Sequence, residues 1–321
     1  MCRKLAFIVV LLAVTVIIPE HASQAAVIGR GSMAEFAWSP DNHSLAIATA
    51  FGIWLYDATS GSFQLLAEES ASSLAFNIDG SELYFSTLNA LQAIDIQSGE
   101  RRVISTTAFQ ISGTGAAAVT TLDETLEVWY LESGDPPVTL SAVAESAPFI
   151  TRISADGAWV AGAYHDFENM ENSQFLDIIF FWDVKQQQTI PLPVYNDRIW
   201  NITFSPDSAR LGAIMWSGDV YWWDLPTLAE RHFTEMRAFG DLAFSPDGTL
   251  LVFGTSNGDI RLWNSHDEKM TVLGSHLQLD GLAFSRDGQF LASSGRDGTV
   301  KLWDMSTSEA IVTLEPRRQE E

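Results

Sequence analysis

Phe284-Ser285-Arg286-Asp287-Gly288, followed by Trp303-Asp304, is one copy of a pattern that the chain repeats. Phe244-Ser245-Pro246-Asp247-Gly248 leads to Trp263-Asn264, and Phe204-Ser205-Pro206-Asp207-Ser208 leads to Trp223-Asp224. The anchor phenylalanines are 40 residues apart, and each closing Asp or Asn follows its anchor by 20. With the offset held near that value, weaker copies emerge upstream. Trp38 to Asp57, Phe76 to Asp95 and Ile111 to Tyr130 each span 19 residues, and Ile153 to Asp183 spans 30. The anchors are therefore 38, 76, 111, 153, 204, 244 and 284. A period of about 40 that couples a tight turn to a Trp-Asp pair is the sequence form of a β-propeller. The expected fold is all-β, with seven blades of four antiparallel strands.

Alternation and turn residues locate the strands within one copy. In the last copy they predict strand a over Gly281 to Phe284, b over Phe290 to Ser293, c over Thr299 to Trp303 and d over Ala310 to Leu314. Turns fall at Arg286-Asp287-Gly288 and Arg296-Asp297-Gly298. Gly80, Gly115, Gly157, Gly248 and Gly288 lie four residues after their anchors, with Asn42 and Ser208 in the equivalent places. A lone four-stranded sheet cannot bury both faces, whereas a ring of stacked sheets can. No sustained helical period and no Gly-rich phosphate loop supports an α/β alternative.

These motifs resemble the WD-repeat family over roughly residues 30 to 315. The resemblance matches Trp303 and Asp304 to the name-giving pair, Asp297 to the turn Asp before strand c, and His276 to the His between strands d and a. It implies a buried hydrogen-bond network that joins them to Ser293 or Ser294. Only the seventh copy has the full set, since Ser217 and Asn257 replace the turn Asp in copies five and six. The six-bladed propellers of the Tol system and of peptidase accessory domains are similar in their "SPDG" turns. Seven anchors and the Trp-Asp/Asn pairs favour the WD pattern.

Arg3-Lys4, the apolar run Leu5 to Ile18, and Ser23-Gln24-Ala25 resemble a secretory signal, with cleavage expected after Ala25 and an uncleaved anchor as the alternative. The 14-residue run is short for a bilayer-spanning helix, which needs about 20. The expected organisation is a signal over 1–25 and a single propeller over 26–321, exported to the periplasm, envelope or exterior. The one cysteine, Cys2, precedes the apolar run and would leave with the signal. The chain has 18 Lys and Arg against 41 Asp and Glu, a net charge of −23. Nucleic acid is excluded as a partner by that sign, because phosphate binding needs clustered cations. No membrane association beyond the export signal and a monomeric state are expected.

The main irregularity lies in copy four. From about His165 to Phe175 the chain carries an insertion between strands b and c, containing His165, Asp166, Phe167, Glu168, Met170, Glu171 and Phe175. Such insertions map to loops on one face of a ring, often the binding face. Two Phe and one Met near Asp166, Glu168, Glu171 and Asp177 could anchor a partner, or else form a solvated loop; the spacing lacks a calcium-loop frame. Resemblance also implies that strand a lines the channel and starts from that face. Residues four before each anchor then fall near the mouth: Ala34, Ser72, Thr107, Phe149, Trp200, Gly240 and Asp280. Phe149 and Trp200 belong to adjacent blades beside the insertion, and Arg296 could join them. Gap-filling between blades is the competing reading for both aromatics.

No catalytic motif is present: there is no G-x-S-x-G elbow, no sialidase Asp box and no H-E-x-x-H metal spacing. His276 reads as a structural hydrogen-bond member. The sequence therefore predicts a noncatalytic scaffold for a protein partner, with its binding edge at blades four and five and no cofactor. A ligand- or glycan-binding propeller, or an enzyme with its site over the channel, is the alternative. Fold alone does not decide among them.

Overall fold

The computed structural model describes residues 35–122, 125–141, 147–166, 176–192, 197–225, 227–234 and 236–314. These form seven four-stranded antiparallel sheets, each made of consecutive strands a to d. The 1–25 segment lies outside the described residues. The innermost strands are Glu35–Trp38, Ser73–Phe76, Gln110–Ile111, Ile150–Ile153, Ile199–Phe204, Ala238–Phe244 and Leu279–Phe284. Each ends on an anchor of the repeat. Each third strand likewise ends on a closing residue, as in Gly52–Asp57, Leu91–Asp95, Thr125–Tyr130 and Val300–Asp304. In blade seven, strands a, b and d extend slightly beyond the sequence prediction, to Leu279–Phe284, Phe290–Gly295 and Glu309–Leu314.

The repeated Ser-x-Asp is a turn device. In blade five Ser205 Oγ donates to Asp207 Oδ1 at 2.5 Å and accepts the Arg210 N–H at 2.9 Å. The same pair of bonds recurs at Ser39, Ser154, Ser245 and Ser285. A local side-chain bond that satisfies the turn backbone explains the motif without a ligand. Asn42 and Ser208 adopt left-handed φ of 62° and 58° at the place glycine holds elsewhere.

Packing runs between blades. Ala37, Ile53 and Leu66 of blade one bury against Leu74, Phe76 and Phe85 of blade two. Ile214 and Trp222 of blade five meet Phe244, Phe253 and Trp263 of blade six. Full burial of each such side chain contributes about 2 kcal/mol. Blade seven supplies its own outer strand Glu309–Leu314, so among the described residues the ring closes without strand exchange. Side chains form the seam instead. The Trp38 indole N–H donates to the Ala283 carbonyl at 3.2 Å, and Asn42 Oδ1 accepts the Arg286 N–H at 2.8 Å.

The insertion of blade four lengthens a hairpin. Strands Trp159–Asp166 and Leu176–Asp183 have 8 residues each, with His165 paired to Asp177 and Asp166 to Leu176. His165 and Asp166 are thus strand residues. Phe167, Glu168, Met170, Glu171 and Phe175 lie outside the described residues.

Candidate binding face and central channel

Alternating chain direction places the b–c turns and d–a loops on one face and the a–b and c–d turns on the other. Among the described residues, the exposed large apolar side chains of the turns and loops gather on the first face. They are Phe51 (57 % exposed), Leu88 (87 %), Phe149 (41 %), Trp216 (56 %) and Leu277 (74 %). The opposite face has Ile78.

The richest part of this face spans blades four to six. Phe149 stacks on the His165 ring with centroids 4.4 Å apart and planes 12° from parallel. His165 Nδ1 lies 2.7 Å from Oδ1 of buried Asp177, whose Oδ2 accepts the Ile199 N–H at 2.8 Å. That carboxylate therefore ties the blade-four hairpin to the inner strand of blade five. One residue on, Trp200 packs edgewise on Trp216 at 5.1 Å and against Phe239 at 4.3 Å. The Arg198 guanidinium lies 4.9 Å from the Trp216 ring centre, within cation–π range. Trp200 is partly buried against the blade-five and blade-six core, so it fills a gap while supporting Trp216.

The central channel encloses a cavity of 640 Å³. Asp280 lines it, 3.8 Å from Arg296, whereas Phe149 and Trp200 stand outside its lining. A hydrogen-bonded arc crosses it from blade to blade. Gln110 Nε2 donates to Ser73 Oγ at 3.1 Å, and Arg152 donates to Gln110 Oε1 at 3.4 Å and to Asn201 Oδ1 at 3.1 Å. Asn201 Nδ2 donates to Asp241 Oδ1 at 2.9 Å, and Asp241 Oδ2 accepts the Leu282 N–H of blade seven at 2.8 Å. Glu35 of blade one also lines the cavity. Burial raises its carboxyl to about 7, with Arg152 pulling down and Asp241 pushing up. Burial likewise raises Asp241 to about 6, against the opposing pull of its hydrogen bonds and Arg152.

Blade seven contains the buried network implied by the resemblance. The Trp303 indole N–H donates to Ser293 Oγ at 2.8 Å, and Ser293 lies 2.8 Å from His276 Nε2. His276 Nδ1 faces Asp297 Oδ2 at 3.2 Å, and Asp297 also accepts the Leu277 N–H at 3.1 Å. Ser293 is the member; the Ser294 hydroxyl is buried without a hydrogen-bond partner among the described residues. Burial holds the His276 imidazole below its ordinary value, and the hydrogen bonds of Asp297 take that carboxyl down to about 2 despite desolvation. All polar positions of this histidine are used in joining loop to strands.

The family model for the WD domain, G-beta repeat, matches residues 237–264 and 268–304. The chain carries WD40 repeats. No curated protein sequence matches it. Among solved structures, the WD40 propeller is similar to a chain of the mitotic checkpoint complex, with TM-score 0.66 and 18 % identity over 86 % of this chain and 89 % of that one. It is also similar to the tricorn protease, with TM-score 0.65 and 13 % identity over 89 % of this chain, which spans 34 % of that one. At these identities the likeness is one of fold. Sequence reasoning did not single out Trp216, Arg198, Glu35, Arg152, Asn201 or Asp241. Glu35, Ser73, Asn201 and Asp241 all lie three residues before an anchor, a shared offset that would have revealed the tier.

Proposed function

We propose that this WD40 propeller is a noncatalytic platform that docks a protein segment on the face of its b–c turns and d–a loops. The supporting observation is the segregation of exposed apolar side chains, with Phe51, Leu88, Phe149, Trp216 and Leu277 on that face. Blades four and five form the proposed edge, because Trp216 and Phe149 rise there from a rigid aromatic base. Exposed aromatics held in place make strong interface anchors. The same loops carry Glu68, Glu69, Asp197 and Asp219, and the chain has a net charge of −23. The fitting partner therefore presents apolar side chains next to Lys or Arg. The resemblance of residues 1–25 to a secretory signal supports an exported protein.

Affinity capture with the intact chain and a Phe149→Ala/Trp216→Ala variant tests this reading, with Ile78→Ala as control on the opposite face. Loss of one partner in the double variant, with retention in the control and unchanged circular dichroism, is expected. Equal retention by the double variant would remove the edge from blades four and five.

A further inference from the structure

We propose that the channel of this propeller binds a small organic cation, an ammonium group on an apolar body, with Glu35 as its anionic receptor. The inference goes beyond protein docking on the outer face and does not depend on it.

The channel tier is an arc with a gap. From blade two to blade seven its groups are engaged in succession, through Ser73, Gln110, Arg152, Asn201 and Asp241 to the Leu282 N–H. Asp241 accepts three N–H bonds, from Asn201, Leu242 and Leu282. Glu35 stands in blade one at the same offset before its anchor, and among the described residues it makes no hydrogen bond or ion pair. Arg152 acts on it through its charge, but the Arg152 guanidinium already donates to Gln110, Asn201 and the Thr151 carbonyl. Blade seven places Gly281, which has no side chain, at this offset.

A half-buried carboxylate that lines the channel and has no protein donor is complementary to a cation that brings its own N–H groups. Its raised proton affinity is the same deficit expressed with a proton in place of that cation. The cavity size selects the class of cation. A volume of 640 Å³ suits an organic molecule, and no three His, Cys, Asp or Glu among the described residues are grouped to hold a metal ion. Phe36 and Phe284, partly exposed, contribute apolar surface to the channel lining for the apolar body, whereas Leu74, Ile111 and Leu242 line it while their side chains are buried between blades. Asp280, paired with Arg296 at 3.8 Å, also lines the channel.

Calorimetric titration of the intact chain with phenethylamine at pH 7, in two buffers of different ionisation enthalpy, tests the site. Saturable one-to-one binding is expected, with net proton release as Glu35 is driven to its charged form. Glu35→Gln should weaken binding at least tenfold while melting cooperatively, and phenethyl alcohol should not compete. Proton release in the unaltered chain is read independently of whether the variant folds. Absence of saturation up to about 10 mM, binding without proton release, or equal affinity in Glu35→Gln would overturn the proposal. So would calcium chloride binding in place of the amine and being lost in Glu35→Gln, which would make the site a metal site.

Discussion

Glu35 and Asp241 show how a half-buried channel carboxyl can set the response of the whole chain to pH. Their ordinary values are 4.5 and 3.8, and desolvation in the channel raises them to about 7 and about 6. Between about pH 4 and 7 the folded chain therefore holds protons that the unfolded chain has released. Stability from these two groups is full below that window and falls as pH rises through it. Blade seven slopes the other way. Asp297, lowered to about 2, contributes stability above its ordinary 3.8 that is lost as pH falls toward 2. His276, held low by burial, opposes folding once pH drops below its ordinary 6.5. Glu35→Gln keeps the shape of the protonated acid and removes its titration. Urea unfolding should show the variant close to the unaltered chain at pH 4 and more stable by about 2 kcal/mol at pH 8, after discounting for water in the channel. A variant less stable at both pH values would mean that the Glu35 charge is satisfied in a way the channel geometry does not provide.

At the scale of elements, the turns hold every blade but the buried network holds only the last. Ser293 joins three parts of blade seven: the loop at His276, strand b, and Trp303 on strand c. Ser293→Ala leaves an indole N–H and an imidazole nitrogen buried without partners. It should cost about 1–3 kcal/mol in urea unfolding, whereas Ser294→Ala, whose hydroxyl has no partner among the described residues, should cost under about 1 kcal/mol. Equal losses would assign the network differently. The elements were the most legible part of the sequence, because anchor and closing residue end strands a and c in every blade, even where Ile111 and Tyr130 replace the aromatic and the Asp. The local Ser-Asp turn bond enforces that spacing in blades one, four, five, six and seven, while Asn77 and the Ser112–Thr114 pair hold the equivalent turns of blades two and three. The channel tier was less legible because its bonds cross blades: Arg152 reaches Gln110 across 42 positions and Asn201 reaches Asp241 across 40. Nothing within one repeat announces such pairs; the shared offset of Ser73, Asn201 and Asp241 before their anchors shows only when the copies are aligned. Trp216 escaped notice for a related reason, since a Trp in a b–c turn becomes informative only when Trp200, Phe239 and Arg198 are seen to support it.

For the whole molecule, the seam between blades seven and one is the single junction that cannot form locally. Every sheet uses consecutive strands, so a blade can pair as it is made, and neighbours pack across about one repeat. The seam joins residues 245 positions apart, and side chains alone secure it. Trp38 contributes to that joint through its bond to Ala283, its stacking on Phe290 at 6.1 Å, and its place among Ala292, Val300, Leu302 and Leu314. A repeat array is stabilised by its nearest-neighbour interfaces, and closure adds one interface for the entropy of a single large loop. Trp38→Ala should therefore remove about 3–5 kcal/mol by truncating a core aromatic and should open the ring at a defined place. Trp182, fully buried between blades three and four, is the matched control for size and burial. Hydrogen exchange should accelerate first at Glu35–Trp38 and Leu279–Phe284 in the Trp38 variant, and around blades three and four in Trp182→Ala. Uniform acceleration in both would show that the ring unfolds as one unit and that the seam is no weaker than the interfaces within it.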